Sequence, residues 1–103
     1  MEYKIKQIKN YNDCEYIFDW WKFAKDKFNL KKDYETVYEG NLEVEDETDT
    51  LGILEELFVI FNAKRPEDFK GHSLSVSDVI EINGKNYYCD SNGWVDVETG
   101  REL

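Results

Sequence analysis

The sequence predicts an α+β domain: an antiparallel sheet of about five strands with two helices packed on one face, in the order strand-helix-strand-helix-strand-strand-strand. Three observations lead there. Segments of alternating polar and apolar residues open the chain and return after residue 33. Two longer stretches repeat apolar residues at helical spacing. The last third carries Asn83-Gly84 and Asp90-Ser91-Asn92-Gly93 between β-rich runs, which is hairpin punctuation. The 103 residues make a single domain, 1–103, and 41% hydrophobic content is enough for a core.

Taken in order, Tyr3–Lys9 sets Tyr3 and Ile5 against Lys4 and Lys6, the period of a half-buried strand. Asn12 to about Asn29 reads as a helix, with Asn12 and Glu15 placed as a capping box. Cys14, Ile17, Phe18, Trp21, Ala24 and Phe28 share its apolar face. Tyr16, Trp20 and Phe23 fall on a third flank. Either a second helix covers that flank, or its aromatics form a partner site, since Trp and Tyr anchor interfaces.

Tyr34–Leu42 reads as a second strand. Tyr34, Thr36 and Tyr38 oppose Glu35, Val37 and Glu39, and Gly40-Asn41 bends its end. Glu43–Thr50 is an acidic linker. A helix follows from about Thr50 to Phe61, capped by Asp49 or Thr50, with the stripe Leu51, Leu54, Leu57, Phe58 and Phe61. Asn62–Gly71 is a loop. His72–Asp78 alternates serines with Leu74 and Val76 and leads into the strand Val79–Ile82. Asn83-Gly84 turns the chain into a strand through Tyr87, Tyr88 and Cys89. Trp94–Val97 closes the meander, and Glu98–Leu103 is expected to fray. Lys4, Lys6, Glu35 and Glu39 are expected to share a solvated sheet face.

Charge is unevenly distributed. Residues 33–63 hold ten carboxylates and no Lys or Arg, and five of the ten lie in Glu43–Asp49. Residues 1–32 hold eight Lys against five acids, whereas the rest of the chain holds five basic residues against eighteen acids, for a net charge of −10. Such a balance repels phosphates and anionic lipid, so neither direct nucleic-acid binding nor membrane binding is expected. It favours a basic protein as partner. Acids at a helix start are stabilised by the helix dipole, which gives part of the run a purely structural reason; the others repel one another in water.

No metal or cofactor is expected. Cys14 and Cys89 stand 75 positions apart and belong to no Cys-x-x-Cys pair. Two free thiols suit a reducing cytosol, and Met1–Lys9 is no signal peptide, so a cytoplasmic location is expected. Asp90-Ser91-Asn92-Gly93 lacks the glycine position and the twelfth-position Glu of a calcium loop and reads as a turn. His72, the single histidine, would need Cys89 or a serine beside it to make a nucleophile pair, and no orienting group can be assigned from the sequence.

The residues 65–80, Arg-Pro-Glu-Asp-Phe-Lys-Gly-His-Ser-Leu-Ser-Val-Ser-Asp-Val-Ile, are followed by Asn83-Gly84-Lys85, Tyr87-Tyr88-Cys89-Asp90-Ser91 and Gly93-Trp94. Together they resemble the YodL-like domain; the Asp49-Thr50-Leu51 helix start and the Phe61-Asn62 helix end also fit it. The resemblance implies a setting in plasmids, conjugative elements and phages of Gram-positive bacteria and offers no established reaction. Within it, His72, Ser73, Ser75 and Asp78 suggest a site, or else hydroxyls and a carboxylate bonded to backbone at a strand entrance.

Two functions are carried forward. In the first, a non-enzymatic protein presents Glu43, Glu45, Asp46, Glu47, Asp49, Glu55 and Glu56 to the basic nucleic-acid groove of a host defence protein. A CRISPR effector nuclease or a restriction enzyme would be such a target, which makes the protein of anti-CRISPR or anti-restriction type. In the second, a scaffold or adaptor docks through Tyr16, Trp20 and Phe23, with a homodimer as one form. A small hydrolase or metal enzyme is the third and weakest reading.

Overall fold

The computed structural model describes residues 1–103. Alternation in five segments produces five antiparallel strands: β1 (Glu2–Ile8), β2 (Tyr34–Asn41), β3 (Val79–Ile82), β4 (Lys85–Asp90) and β5 (Gly93–Asp96). They form one sheet in the order β2-β1-β3-β4-β5. Asn83 and Gly84 both adopt positive φ (51° and 79°), the geometry of the tight turn that their sequence predicts between β3 and β4. The α+β class, the five antiparallel strands and the closing meander are as the sequence implies.

Three helices accompany the sheet: α1 (Trp21–Ala24), α2 (Leu30–Asp33) and α3 (Thr50–Ala63), with a 3-10 turn at Tyr11–Asp13. Asp49 caps α3 by accepting a bond from the Gly52 amide at 3.1 Å. Leu54, Leu57 and Phe61 are buried as expected, and Ile53 joins them. Phe58, assigned to the buried stripe, is 36% exposed at its margin.

The placement of the helical segments needs correction. Successive sheet residues alternate between two cores. Tyr3, Ile5, Ile80, Tyr87, Cys89 and Trp94 pack with α3, Phe69 and Leu74. Ile8, Tyr34, Val79, Tyr88 and Val95 pack with Cys14, Tyr16 and Ala24, supported by Trp21, Phe28 and Leu30. The period of two puts these sets on opposite faces, so α3 and the segment carrying α1 and α2 cover opposite sides rather than sharing one.

Nor does a continuous helix span Asn12–Asn29. The expected Asn12 cap is absent; the chain is extended at Cys14, Phe18 takes φ 62°, and only single turns follow. Aromatic crowding weakens helix propensity here, and the sheet supplies competing bonds. The Phe18 amide donates to Ser77 Oγ (3.1 Å), the Trp21 amide to Asp90 Oδ1 (3.0 Å), and the Tyr88 hydroxyl to the Asp19 carbonyl (2.8 Å). Side chains are redistributed accordingly: Tyr16 is 2% exposed and Phe18 is 54% exposed, the reverse of a helical reading.

Two further departures are local. A bulge in β2 pairs Ile5 with Tyr38 but Lys6 with Thr36, which leaves Val37 as the extra residue. It turns Glu35 to the side of Gln7, so Glu35 does not join the solvated patch. Lys4 and Lys6 remain there, in ion pairs with Glu39 (3.4 Å) and Glu81 (2.7 Å). The tail is not frayed: the Leu103 amide donates to the Trp94 carbonyl, and Glu102 bridges Val95, so the end of the chain lies along the free side of β5.

Leu57→Ala removes a fully buried side chain and is expected to cost about 2–5 kcal/mol, read as a lower denaturant midpoint. Val59→Ala, on the exposed face of the same helix, is expected to stay within about 0.5 kcal/mol.

Candidate functional site

The acidic stretch is an ordered surface. The chain between β2 and α3 has no regular structure, but it is tied at both ends. The Met1 ammonium donates to the Leu42 carbonyl and the Leu42 amide to the Met1 carbonyl, each at 2.9 Å. Leu42 and Val44 pack on the core beneath. Asp46 accepts from the Thr48 amide and hydroxyl, and those bonds hold its carboxyl below the usual carboxylate range. Glu43, Glu45, Asp46, Glu47, Asp49, Glu55 and Glu56 are all exposed, and none enters an ion pair. The lysines of residues 1–32 do not neutralise them; the three that pair do so with Glu39, Glu81 and Glu15. Two of the seven carboxylates also have a structural task, Asp49 as helix cap and Asp46 as turn acceptor.

The aromatic flank is only partly a surface. Tyr16 is buried: its hydroxyl donates to Asp33 Oδ2 (2.7 Å) and accepts from the Asn29 amide (3.2 Å). Trp20 and Phe23 are exposed, with ring centroids 6.3 Å apart. The Lys22 ammonium lies 5.0 Å and 4.9 Å from the two rings, within cation–π reach. Phe18 and Tyr11, edge to face at 6.0 Å, are also exposed and were not assigned to this surface from the sequence.

His72, Ser75 and Asp78 do come together, in a mostly buried cluster with Gln7. Asp78 Oδ2 accepts from the Ser75 amide (2.9 Å) and from Gln7 Nε2 (3.2 Å). Gln7 Nε2 also donates to the His72 carbonyl (2.8 Å), and Gln7 Oε1 accepts the His72 amide (3.2 Å). His72 Nδ1 lies 2.7 Å from the Ser73 carbonyl and 3.3 Å from Gln7 Nε2; the shorter contact, to a group that can only accept, assigns the proton to Nδ1. Its buried Nε2, without a hydrogen-bond partner, then faces Asp78 Oδ1 at 3.8 Å. Burial, above all, pushes the Asp78 carboxyl up to about 7, against the bonds that favour its charged form. Ser73 contributes only its carbonyl, to His72 and to the Ser75 hydroxyl. Gln7 was missed, although a polar residue at the inward parity of Tyr3 and Ile5 signals a buried partner.

Ser77, beside this cluster, holds φ 84°. Tyr34 donates to its carbonyl and Phe18 to its hydroxyl, so the strained turn is clamped from both neighbouring segments. Cys89 is buried, and that burial pushes its thiol up to about 12. The cluster ties the loop that leads into β3 to β1, and its carboxylate is buried. No group of three or more metal-ligating side chains occurs, and no helix is long and apolar enough to cross a membrane.

A family model described as the YodL-like domain matches residues 2–99, nearly the whole chain. Searches of curated proteins and of solved structures returned no match.

The raised Asp78 carboxyl has a thermodynamic consequence. Below the ordinary carboxylate range both folded and unfolded chains hold the proton. Between that range and about pH 7 only the folded chain does, so stability falls as pH rises through this window. Asp78→Asn keeps an acceptor and removes the titration. Urea midpoints measured from pH 4 to pH 8 are expected to drop less steeply in the variant than in the parent chain.

Proposed function

The chain belongs to the YodL-like domain family, and we propose that it acts as a small, acidic, non-enzymatic binding protein of a mobile genetic element. Its partner is a basic host protein, and the target class that fits best is a nucleic-acid-binding defence protein: a CRISPR effector nuclease or a restriction enzyme. The observation that carries this reading is the set of seven exposed, unpaired carboxylates on a segment anchored to the core at Met1, Leu42 and Val44.

Phosphate imitation needs negative charges at spacings that a basic groove already recognises, held still enough that the groove does not have to order them. A disordered acidic tail would lose that ordering entropy on binding. Here the turn bonds of Asp46 and the cap of Asp49 order the segment beforehand. Long-range attraction between a chain of charge −10 and a basic groove also speeds encounter, with an effect that salt screens. The mobile-element setting implied by the family resemblance supplies a reason for such a target. The fully buried Asp78 and the protonated Cys89 thiol weigh against hydrolytic chemistry.

A second reading has its own observation. Trp20 and Phe23, bracketed by Lys22, are unpartnered aromatics of the kind that anchor adaptor interfaces, a homodimer included. Tyr16 drops out of that surface because it is buried.

The combined variant Glu43→Gln, Glu45→Gln, Asp46→Asn, Glu47→Gln and Asp49→Asn retains side-chain acceptors at the Asp49 cap and the Asp46 turn, so folding is expected to survive. Added to a CRISPR effector or restriction enzyme, the parent chain is expected to block duplex-DNA binding at low salt and to lose the effect as salt rises. The variant is expected to be inactive; unaltered inhibition by it would overturn the reading. For the second reading, Trp20→Ser with Phe23→Ser is expected to reduce assembly, and an unchanged sedimentation coefficient would count against it.

A further inference from the structure

We propose that the groove between α3 and the β4–β5 turn is an interaction surface for a basic segment carrying a bulky apolar side chain. The inference deepens the reading of a basic partner and rests on it. The groove is open to solvent and offers about 640 Å³, within the range of sites that hold a side-chain cluster or small ligand. Phe58 and Val59 line it from the outer side of α3, and Val76, in the loop before β3, and Trp94, in β5, close it from the other side.

Its composition separates it from the rest of the surface. Phe58 and Val59 are 36% and 58% exposed on a helix whose other large apolar residues face the core. Neither belongs to the core cluster that α3 builds. Phe58 stands edge to face with the buried Trp94 at 6.4 Å, so the apolar wall is held by packing. Cys89 contributes to the floor, and its protonated thiol leaves that floor uncharged near neutrality. Glu55 and Asp90 are the charged residues of the lining, which includes no Lys or Arg.

The charge selects the occupant. An apolar floor alone would accept any greasy side chain. An acidic peptide or an anionic lipid would meet Glu55, Asp90 and the field of a chain at −10. A cationic segment meets attraction at every one of these. Glu55 also belongs to the exposed acidic set, so the groove is continuous with the charged surface. The two parts have different physics: contacts with the carboxylates weaken as salt rises, whereas burial of an apolar anchor against Phe58 and Val59 does not. The anchor therefore adds salt-resistant affinity and a central contact around which the charges set orientation.

The test uses two synthetic basic peptides of equal length and equal lysine count, one with Leu at the intervening positions and the other with Gln. Binding to the full chain is followed by titration calorimetry at low and at moderate salt, with amide shifts recorded in parallel. The Lys–Leu peptide is expected to bind at least about tenfold tighter than the Lys–Gln peptide, to keep that margin as salt rises, and to shift amides at Phe58, Val59 and Trp94. Phe58→Gln with Val59→Gln, both at exposed positions, is expected to erase the margin and leave Lys–Gln binding unchanged. Equal affinity of the two peptides for the parent chain, or a margin that survives in the double variant, overturns the groove while salt-labile binding of both peptides upholds the acidic surface. Binding of neither peptide overturns both.

Discussion

Every other feature of this molecule follows from a sheet that is apolar on both faces. In β3, β4 and β5 consecutive residues, Val79 and Ile80, Tyr87 and Tyr88, Trp94 and Val95, are buried in opposite directions. A strand with two greasy sides cannot be left against water on either. Two separate covers are required, and the chain supplies them from its two long connections. The connection from β2 to β3 carries α3, and the connection from β1 to β2 carries the short turns around Tyr16, Ala24 and Phe28. One sheet with two covers gives three layers in 103 residues.

The split also separates charge. The cover built on α3 brings with it the carboxylates of residues 43–56, a stretch that has no cation, whereas the opposite cover holds most of the lysines of residues 1–32. Because the sheet stands between them, few of these lysines reach an acid, and the acidic surface keeps its field. The buried cluster of Gln7, His72 and Asp78 belongs to the same logic. It ties the loop before β3 to β1, and so positions Leu74 in one core while Ser77 reaches toward the other cover.

The legible parts of the sequence were those governed by local rules. Alternation marks β1, Asn-Gly marks the β3–β4 turn, and Asp49 followed by Leu51, Leu54, Leu57 and Phe61 marks α3. The segment Asn12–Asn29 misleads because its helical spacing is a coincidence of aromatic residues that pack individually. Two of its backbone amides bond to Ser77 and Asp90, at separations of 59 and 69 residues, and no local pattern encodes these. Parity failed at Glu35 for a similar reason, since one extra residue at Val37 reverses every side chain beyond it. The exposure of the acidic run was legible because no opposite charge lies near it in the chain. The groove was not: Phe58 follows the core period of α3, and only the position of the β4–β5 turn leaves it uncovered.

The last residues, lying along β5, leave β2 as the sheet's one open flank. That flank is kinked at Val37 and bears Glu35 and Glu39. A bent ribbon that carries charged side chains makes a poor template for cross-β growth, since an incoming copy would meet mismatched register and the unpaired charge of Glu35. Edge-to-edge pairing of two copies through β2 is therefore disfavoured by the shape and the charge of the strand itself.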